Sequence, residues 1–284
     1  MKTKQSFSDF INETNLKGSG KASSYIRALD LLGEMLSIDS LGFTGGNDVW
    51  AITSESCVDD LVDCVKQEQA KGGDSVWLST GIAPSYLTKG YCKAALNSYK
   101  QFLLAHNVEN HLLSVFKSFD GNGRALAHQL YTQPDRLNDI AELVGKKRQG
   151  EDVVKLVKTR LNQRVFRQMI GSIYDHRCCI TGLNISALNR ASHIVSWADN
   201  EEARLDPSNG LYLSATYDAA FDRHLITLDD DYRIVLSSNL KAMAGEPSVR
   251  DYFMVKEGCK IQLPHSYLPS QDYLDLHRKA CALP

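Results

Sequence analysis

The stretch from Thr159 to Leu228 constrains this chain more than any other. Arg190-Ala-Ser-His-Ile-Val-Ser-Trp197 is followed by Asp206-Pro-Ser-Asn-Gly-Leu-Tyr-Leu-Ser214 and then by Tyr217-Asp-Ala-Ala-Phe-Asp222. A histidine stands on an apolar, strand-like run, an asparagine at a turn, and two carboxylates on a short helical segment. These pieces belong to one small mixed unit, and the rest of the chain is read as what delivers it.

The flanks of this stretch have clear patterns. Glu151 to Tyr174 reads as a long helix with Val157, Leu161, Val165, Met169 and Ile173 along one face and Arg160, Gln163, Arg164 and Arg167 on the charged face. Asp175 to Gly182 and Leu188 to Val195 read as the end of that helix, a loop and two short strands paired as a ribbon. Asn209 to Ser214 brings the chain back, and Thr216 caps a helix through about Arg223. Leu225 to Leu236 reads as a hairpin.

The N-terminal half is mainly helical in pattern. Tyr25, Ala28, Leu29, Leu32, Met35 and Leu36 recur at helical spacing behind a cap at Ser23-Ser24. Asp48 to Thr53 reads as a short strand. Ser56 caps a helix carrying Val58, Leu61, Val62 and Val65, and a third helical pattern runs through Cys92, Ala95, Tyr99, Phe102 and Leu103. Ser85, Tyr86, Tyr91, Lys93, Ser98, Tyr99 and Lys100 near its start are of types that can grip a nucleic-acid backbone, and that more often serve as caps and core. From His106 to Gly150 the signals weaken, apart from a helical pattern over 134–144 and the turn Asp120-Gly-Asn-Gly123. Gly18-Ser-Gly-Lys21 lacks the flanking residues of a phosphate loop, and Asp120-Gly-Asn-Gly123 lacks the later oxygen ligands of a calcium loop.

A length of 284 residues suffices for two modest domains, and 43% hydrophobic with 23% charged residues argues against disorder or coiled coil. No apolar run is long enough to span a bilayer, and nothing resembles a cleaved leader. Seven cysteines without a Cys-x-x-Cys pair point to a reducing compartment, so the expected location is cytoplasmic. Net charge is only −2, yet Lys146 to Arg167 holds a local excess of six positive charges. Such a run contacts phosphates or forms a solvated helix face.

The order of the central pieces suits phosphodiester hydrolysis. That reaction needs a base for the attacking water, a divalent cation against developing phosphoryl charge, and groups fixing both. An unperturbed imidazole titrates near neutrality, so His193 reads as the base. Asn209 reads as holding the loop opposite the ribbon and orienting the histidine backbone or ring. Asp218 and Asp222, four apart on a helix, place two hard oxygens on one face, a donor set for magnesium rather than a soft metal. Singly the pieces are ordinary: a strand histidine is more often structural, Asn-Gly is usually a turn, and Asp218 also complements a helix N-terminus. Only the ordered combination carries the reading.

That combination resembles the HNH domain of restriction-type endonucleases. The resemblance is carried by Arg160-x-x-Gln163-x-x-Phe166-Arg167, Tyr174, Cys178-x-Ile-Thr-Gly182, Leu188-x-x-Ala191-Ser-His-Ile194 with Trp197, Asn209-Gly-Leu-x-Leu213 and Asp218-x-x-Phe221-Asp222. It continues through the hairpin to Ile261-x-Leu-Pro264 and Tyr273-Leu-x-x-His-Arg278, covering about 160 to 280. It implies a ββα-metal fold, a divalent cation and DNA cleavage, with His193 as general base and Asn209 as central asparagine. Two departures stand out. Ser192 precedes the base where many relatives have an Asp or His metal ligand, and Tyr217 stands where most have a histidine opening the last helix. A phenol, with a pKa near ~10, acts there as a hydrogen-bond donor, or the site is crippled.

The expectation is thus an α+β chain: a mainly helical domain at 1–108 with a recognition role, a connecting region and basic linker at 109–150, and an HNH domain with C-terminal extension at 151–284. His193, Asn209 and Tyr217 are the expected catalytic residues. Asp218, Asp222 and Asn209 hold Mg2+ or Mn2+, and Arg160, Arg164, Arg167, Lys146, Lys147 and Arg148 contact duplex DNA in a restriction or defence role. The Arg160–Arg167 group has a second reading, pairing with Asp229 to Asp231. Alternatives are a non-catalytic DNA-binding protein with a degenerate HNH domain and an RNA-cleaving toxin. Oligomeric state is left open, a homodimer being compatible.

Overall fold

The computed structural model describes residues 2–14, 20–78, 81–132, 150–196 and 202–281. They fall into two compact units: one comprises residues up to Val108 and 150–160, the other 109–132 and everything described from Leu161 onward. Helices dominate, with two small two-stranded sheets, so the chain is α+β with a helical N-terminal region.

The first unit is built from α1 (Lys2–Thr14), α2 (Lys21–Ile38), α3 (Glu55–Lys71), α4 (Pro84–Thr88) and the first part of α5 (Tyr91–Ser118). The apolar faces of α2 and α3 close around Trp77 and Tyr99, both fully buried. Each buried aromatic has its polar atom satisfied, as burial demands. Trp77 Nε1 donates to the Asp39 carbonyl at 2.7 Å, and Tyr99 Oη to the Ile52 carbonyl at 3.0 Å. Tyr99 therefore belongs to the core, and Lys100 pairs with Asp59.

Four local expectations are corrected along this part of the chain. Asp48 to Thr53 is not a strand but a 3-10 turn over Val49–Ala51, because the Asp48 side chain accepts from Trp50 N at 3.0 Å and curls the backbone. Helix α2 starts at Lys21, behind Gly20 at φ 62°, rather than at a serine cap, and α3 starts one residue after Ser54 rather than at Ser56. Helix α5 does not fade at His106 but runs to Ser118. The pattern at 134–144 and the basic residues Lys146, Lys147 and Arg148 lie outside the described residues, as does Trp197.

The second unit contains α6 (Gly123–Tyr131), most of α7 (Gly150–Ile173), the ribbon β1 (Asn189–His193) and β2 (Gly210–Ser214), α8 (Ala215–Asp222), the hairpin β3 (Ile226–Leu228) and β4 (Ile234–Leu236), the short α9 (Ser238–Lys241) and α10 (Pro247–Tyr252), and α11 (Gln271–Ala280). Asn122, of the turn sequence Asp120 to Gly123, caps α6 by accepting from Ala125 N at 2.9 Å. β1 and β2 pair antiparallel, with Asn189 opposite Ser214 and His193 opposite Gly210. The ribbon therefore differs from the expected one, since the partner of Leu188 to Val195 is the returning segment and not the stretch before it. Asp175 to Gly182 instead forms a loop, tied to β2 by Cys179 N donating to the Tyr212 carbonyl at 2.8 Å. Ribbon and α7 approach so closely that a Cβ on Gly210 would run into Ile170 and Phe166. Ser214, not Thr216, is the residue before α8, so the helix starts two residues earlier than expected.

The hairpin β3–β4 is as expected, with Ile226 opposite Leu236. Its acidic turn folds on itself: Asp229 Oδ1 accepts from Asp231 N at 3.0 Å and Arg233 N at 2.7 Å, and Asp230 pairs with Arg278 of α11. Among the described residues no helix is long and apolar enough to cross a membrane.

Candidate active site

His193 ends β1, and its position is over-determined. Its ring stacks on Phe166 of α7, with centroids 3.6 Å apart and planes 12° from parallel. Its Nε2 lies 3.2 Å from the Arg204 carbonyl. A carbonyl only accepts, so Nε2 carries the proton and Nδ1 presents a lone pair. Burial pushes the imidazole down to about 4, against which the Arg204 carbonyl acts weakly. His193 is therefore neutral near pH 7, the form a general base requires.

Asn209 is 1% exposed and hydrogen-bonds through both atoms of its amide. Oδ1 accepts from Val195 N at 2.9 Å, while Nδ2 donates to the carbonyls of Val195 and Ala203, each at 3.2 Å. Its own carbonyl accepts from Ile194 N at 2.9 Å. These bonds fix the backbone immediately after His193 to the loop that returns to β2. Oδ1 accepts the bond from Val195 N with one of its two lone pairs.

Ser192 points from β1 toward α8, where its hydroxyl is 3.5 Å from Asp222 Oδ1. Asp218 and Asp222 stand one turn apart on α8. Burial lifts the Asp218 carboxyl above the ordinary range and the charge of Asp222 lifts it further, while Ser192 and Arg190 oppose this. Two carboxylates one turn apart beside one hydroxyl form a hard, anionic oxygen set. The donor chemistry fits Mg2+ or Mn2+ and does not suit a soft metal.

Tyr217 is placed elsewhere. It is 4% exposed, packs edge-on against Phe253 at 5.5 Å, and donates its hydroxyl to the Tyr252 carbonyl, with burial pushing the phenol up to about 12. Consecutive helix residues point about 100° apart, so with Tyr217 held against the α10 side Asp218 faces Ser192 of β1. The side chain that the start of this helix presents to the site is Asp218, and Tyr217 holds the helix in place.

His193, Ser192, Asp218 and Asp222 open onto one cavity of about 720 Å³, with Arg190 on its wall. Arg190 lies two residues before Ser192 and shares its strand face, a period-two signal readable in the sequence. The cavity also reaches His224 and His277, the second of which the sequence presented only as part of the C-terminal tail.

Of the arginines, Arg167 donates from Nη2 to the carbonyls of Ser186 at 2.8 Å and Asn189 at 3.0 Å, bracing the start of β1. Arg164 lies 3.2 Å from Glu109. Arg160 is exposed on α7. Arg164 and Arg167 thus have internal partners, which are not the acidic turn at Asp229 to Asp231.

Comparison with known families gives a match for this part of the chain: residues 178–229 fit the HNH endonuclease family model. The match lies in the C-terminal half and spans the Cys178 loop, both ribbon strands, α8 and β3. No curated protein matches the chain.

Proposed function

We propose that the C-terminal half is a metal-dependent DNA endonuclease in which His193 is the general base and Asp218 and Asp222 hold one divalent cation, Mg2+ or Mn2+. The observation that carries this reading is the opening of a neutral, tautomer-fixed imidazole and a carboxylate pair onto the same cavity. A bound cation supplies charge neutralisation at the phosphoryl group and stabilises the leaving oxygen.

The chain's own groups do the rest. His193 Nδ1 takes a proton from the attacking water as the new P–O bond forms and the old one breaks, and the leaving oxygen is protonated from solvent. Phe166 and the Arg204 carbonyl keep Nδ1 aimed, and Asn209 fixes the backbone that follows the base. Arg190 offers positive charge on the cavity wall for the phosphate. Arg160 supports phosphate contact from α7, as would the basic segment Lys146, Lys147 and Arg148. In this reading residues 1–108 supply recognition and the protein serves restriction or defence.

Ser192 favours a second reading. A hydroxyl is a poor metal ligand where an acidic or imidazole group would serve, and a nucleic-acid-binding protein without cleavage follows if two carboxylates do not suffice. One experiment separates the readings: incubation of the purified chain with supercoiled plasmid and with duplex RNA, with and without Mg2+ or Mn2+. Metal-dependent nicking of plasmid supports the endonuclease. Salt-sensitive binding without nicking supports the second reading, and cleavage confined to RNA refutes DNA as substrate.

A further inference from the structure

A second group of metal-ligating side chains borders the same cavity. His224 lies in the turn after α8 at φ 55°, a conformation that glycine adopts more readily. Its Nδ1 is 3.3 Å from His277 Nε2. Cys281 follows His277 by four residues, so α11 and its C-terminal cap bring both to one face, and Cys281 Sγ is 3.7 Å from His277 Nδ1. One donor atom from each of the three residues lies within 4.8 Å of the others.

We infer that His224, His277 and Cys281 form a site for a transition-metal ion of the zinc class, separate from the carboxylate pair. Two nitrogens and a sulfur are the donors of a borderline ion and not of Mg2+. Tetrahedral bonds of about 2.0–2.1 Å to nitrogen put two ligating nitrogens roughly 3.3 Å apart, the spacing found here between the imidazoles.

The surroundings supply the support such a ligand needs. Thr227 Oγ1 is 2.9 Å from His277 Nδ1 and accepts that N–H when Nε2 ligates. Without the ion, Nε2–H donates to the Phe221 carbonyl at 3.1 Å, so ligation through Nε2 moves that proton to Nδ1 and the imidazole stays neutral. The Cys281 thiol ionises on binding and releases its proton to solvent. His224 and His277 line the cavity, so water completes the coordination from that side.

The occupied site would clamp α11 to the turn between α8 and β3. The test is titration of the reduced, metal-free protein with Zn2+ and with Co2+, whose thiolate bond gives a charge-transfer absorption band. About one Zn2+ per chain is expected to bind, competing with Co2+ and undisturbed by excess Mg2+. Cys281→Ser abolishes the band, which separates this thiol from the other six cysteines. His224→Gly suits the backbone at this position, keeps the fold, and weakens Zn2+ by at least about tenfold, since even outer-shell changes cost ~10–100-fold. The inference is overturned if the wild-type chain gives no thiolate band, if the band survives in Cys281→Ser, or if His224→Gly binds Zn2+ as tightly as wild type. All readouts are independent of nucleic-acid cleavage.

Discussion

Acidification is expected to destabilise the C-terminal unit through His193. The folded imidazole is held down to about 4 by burial, whereas in the unfolded chain it returns to an ordinary ~6.5. A depressed folded value means that the unfolded state binds the extra proton, so the contribution is fully present above about pH 6.5 and is lost progressively as pH falls toward 4. At pH 5 the unfolded imidazole is almost wholly protonated and the folded one almost wholly neutral. Linkage then makes the loss between pH 7 and pH 5 roughly 2 kcal/mol from this one residue. His193→Gln removes the titration while leaving an amide able to reach the Arg204 carbonyl. Urea unfolding of metal-free protein at both pH values gives the comparison. The variant is expected to be less stable at pH 7 but to lose about 2 kcal/mol less than wild type on going to pH 5. Equal losses in both proteins would refute the claim that this imidazole is neutral because it is buried.

Further outcomes follow from the same geometry. The acid limb of kcat/KM for plasmid cleavage is expected well below pH 6.5, because the base stays neutral until its folded pKa is reached; a limb at 6.5 contradicts the buried environment of His193. Asn209→Ala leaves the Val195 and Ala203 backbone groups unpaired in the interior and should cost roughly 3 kcal/mol in urea unfolding. Arg167→Ala removes two charge-assisted hydrogen bonds and should cost roughly 2 kcal/mol, whereas an unchanged midpoint with a weaker salt dependence of DNA binding would return this residue to phosphate contact. Asp218→Asn relieves the repulsion with Asp222, so metal-free stability is expected to hold or rise by about 0.3 kcal/mol while the Mg2+ needed for half-maximal cleavage increases.

Parts of this arrangement were legible in the sequence because they depend on local order. Helical spacing located α2, α3 and α7, and the turn at Asp229 to Asp231 located the hairpin. The succession of His193, Asn209 and the two aspartates pointed to the stretch that the family match covers. What was not legible depended on partners or on phase. Asp48 to Thr53 has the apolar character of a strand, yet pairing needs a neighbour and the Asp48 side chain offers the backbone a turn instead. The ribbon partner of Asn189 to His193 lies some twenty residues downstream, beyond the reach of periodicity. Which side of α8 meets the cavity is set by its packing, with Tyr217 held against Tyr252 and Phe253 and Asp218 left on the cavity wall. The bonds of Arg167 to the Ser186 and Asn189 carbonyls were not legible, because no residue pattern displays backbone acceptors.

The central claim, that His193 and the α8 carboxylates act as one hydrolytic site, is tested most directly by a divalent-metal titration of plasmid nicking by wild type, His193→Ala and Asp218→Asn run together. Wild type should nick with Mg2+ or Mn2+. His193→Ala should lose activity at every metal concentration, and Asp218→Asn should recover part of it as metal is raised. Nicking by His193→Ala equal to wild type, or cleavage that persists with the metal chelated, would contradict the account.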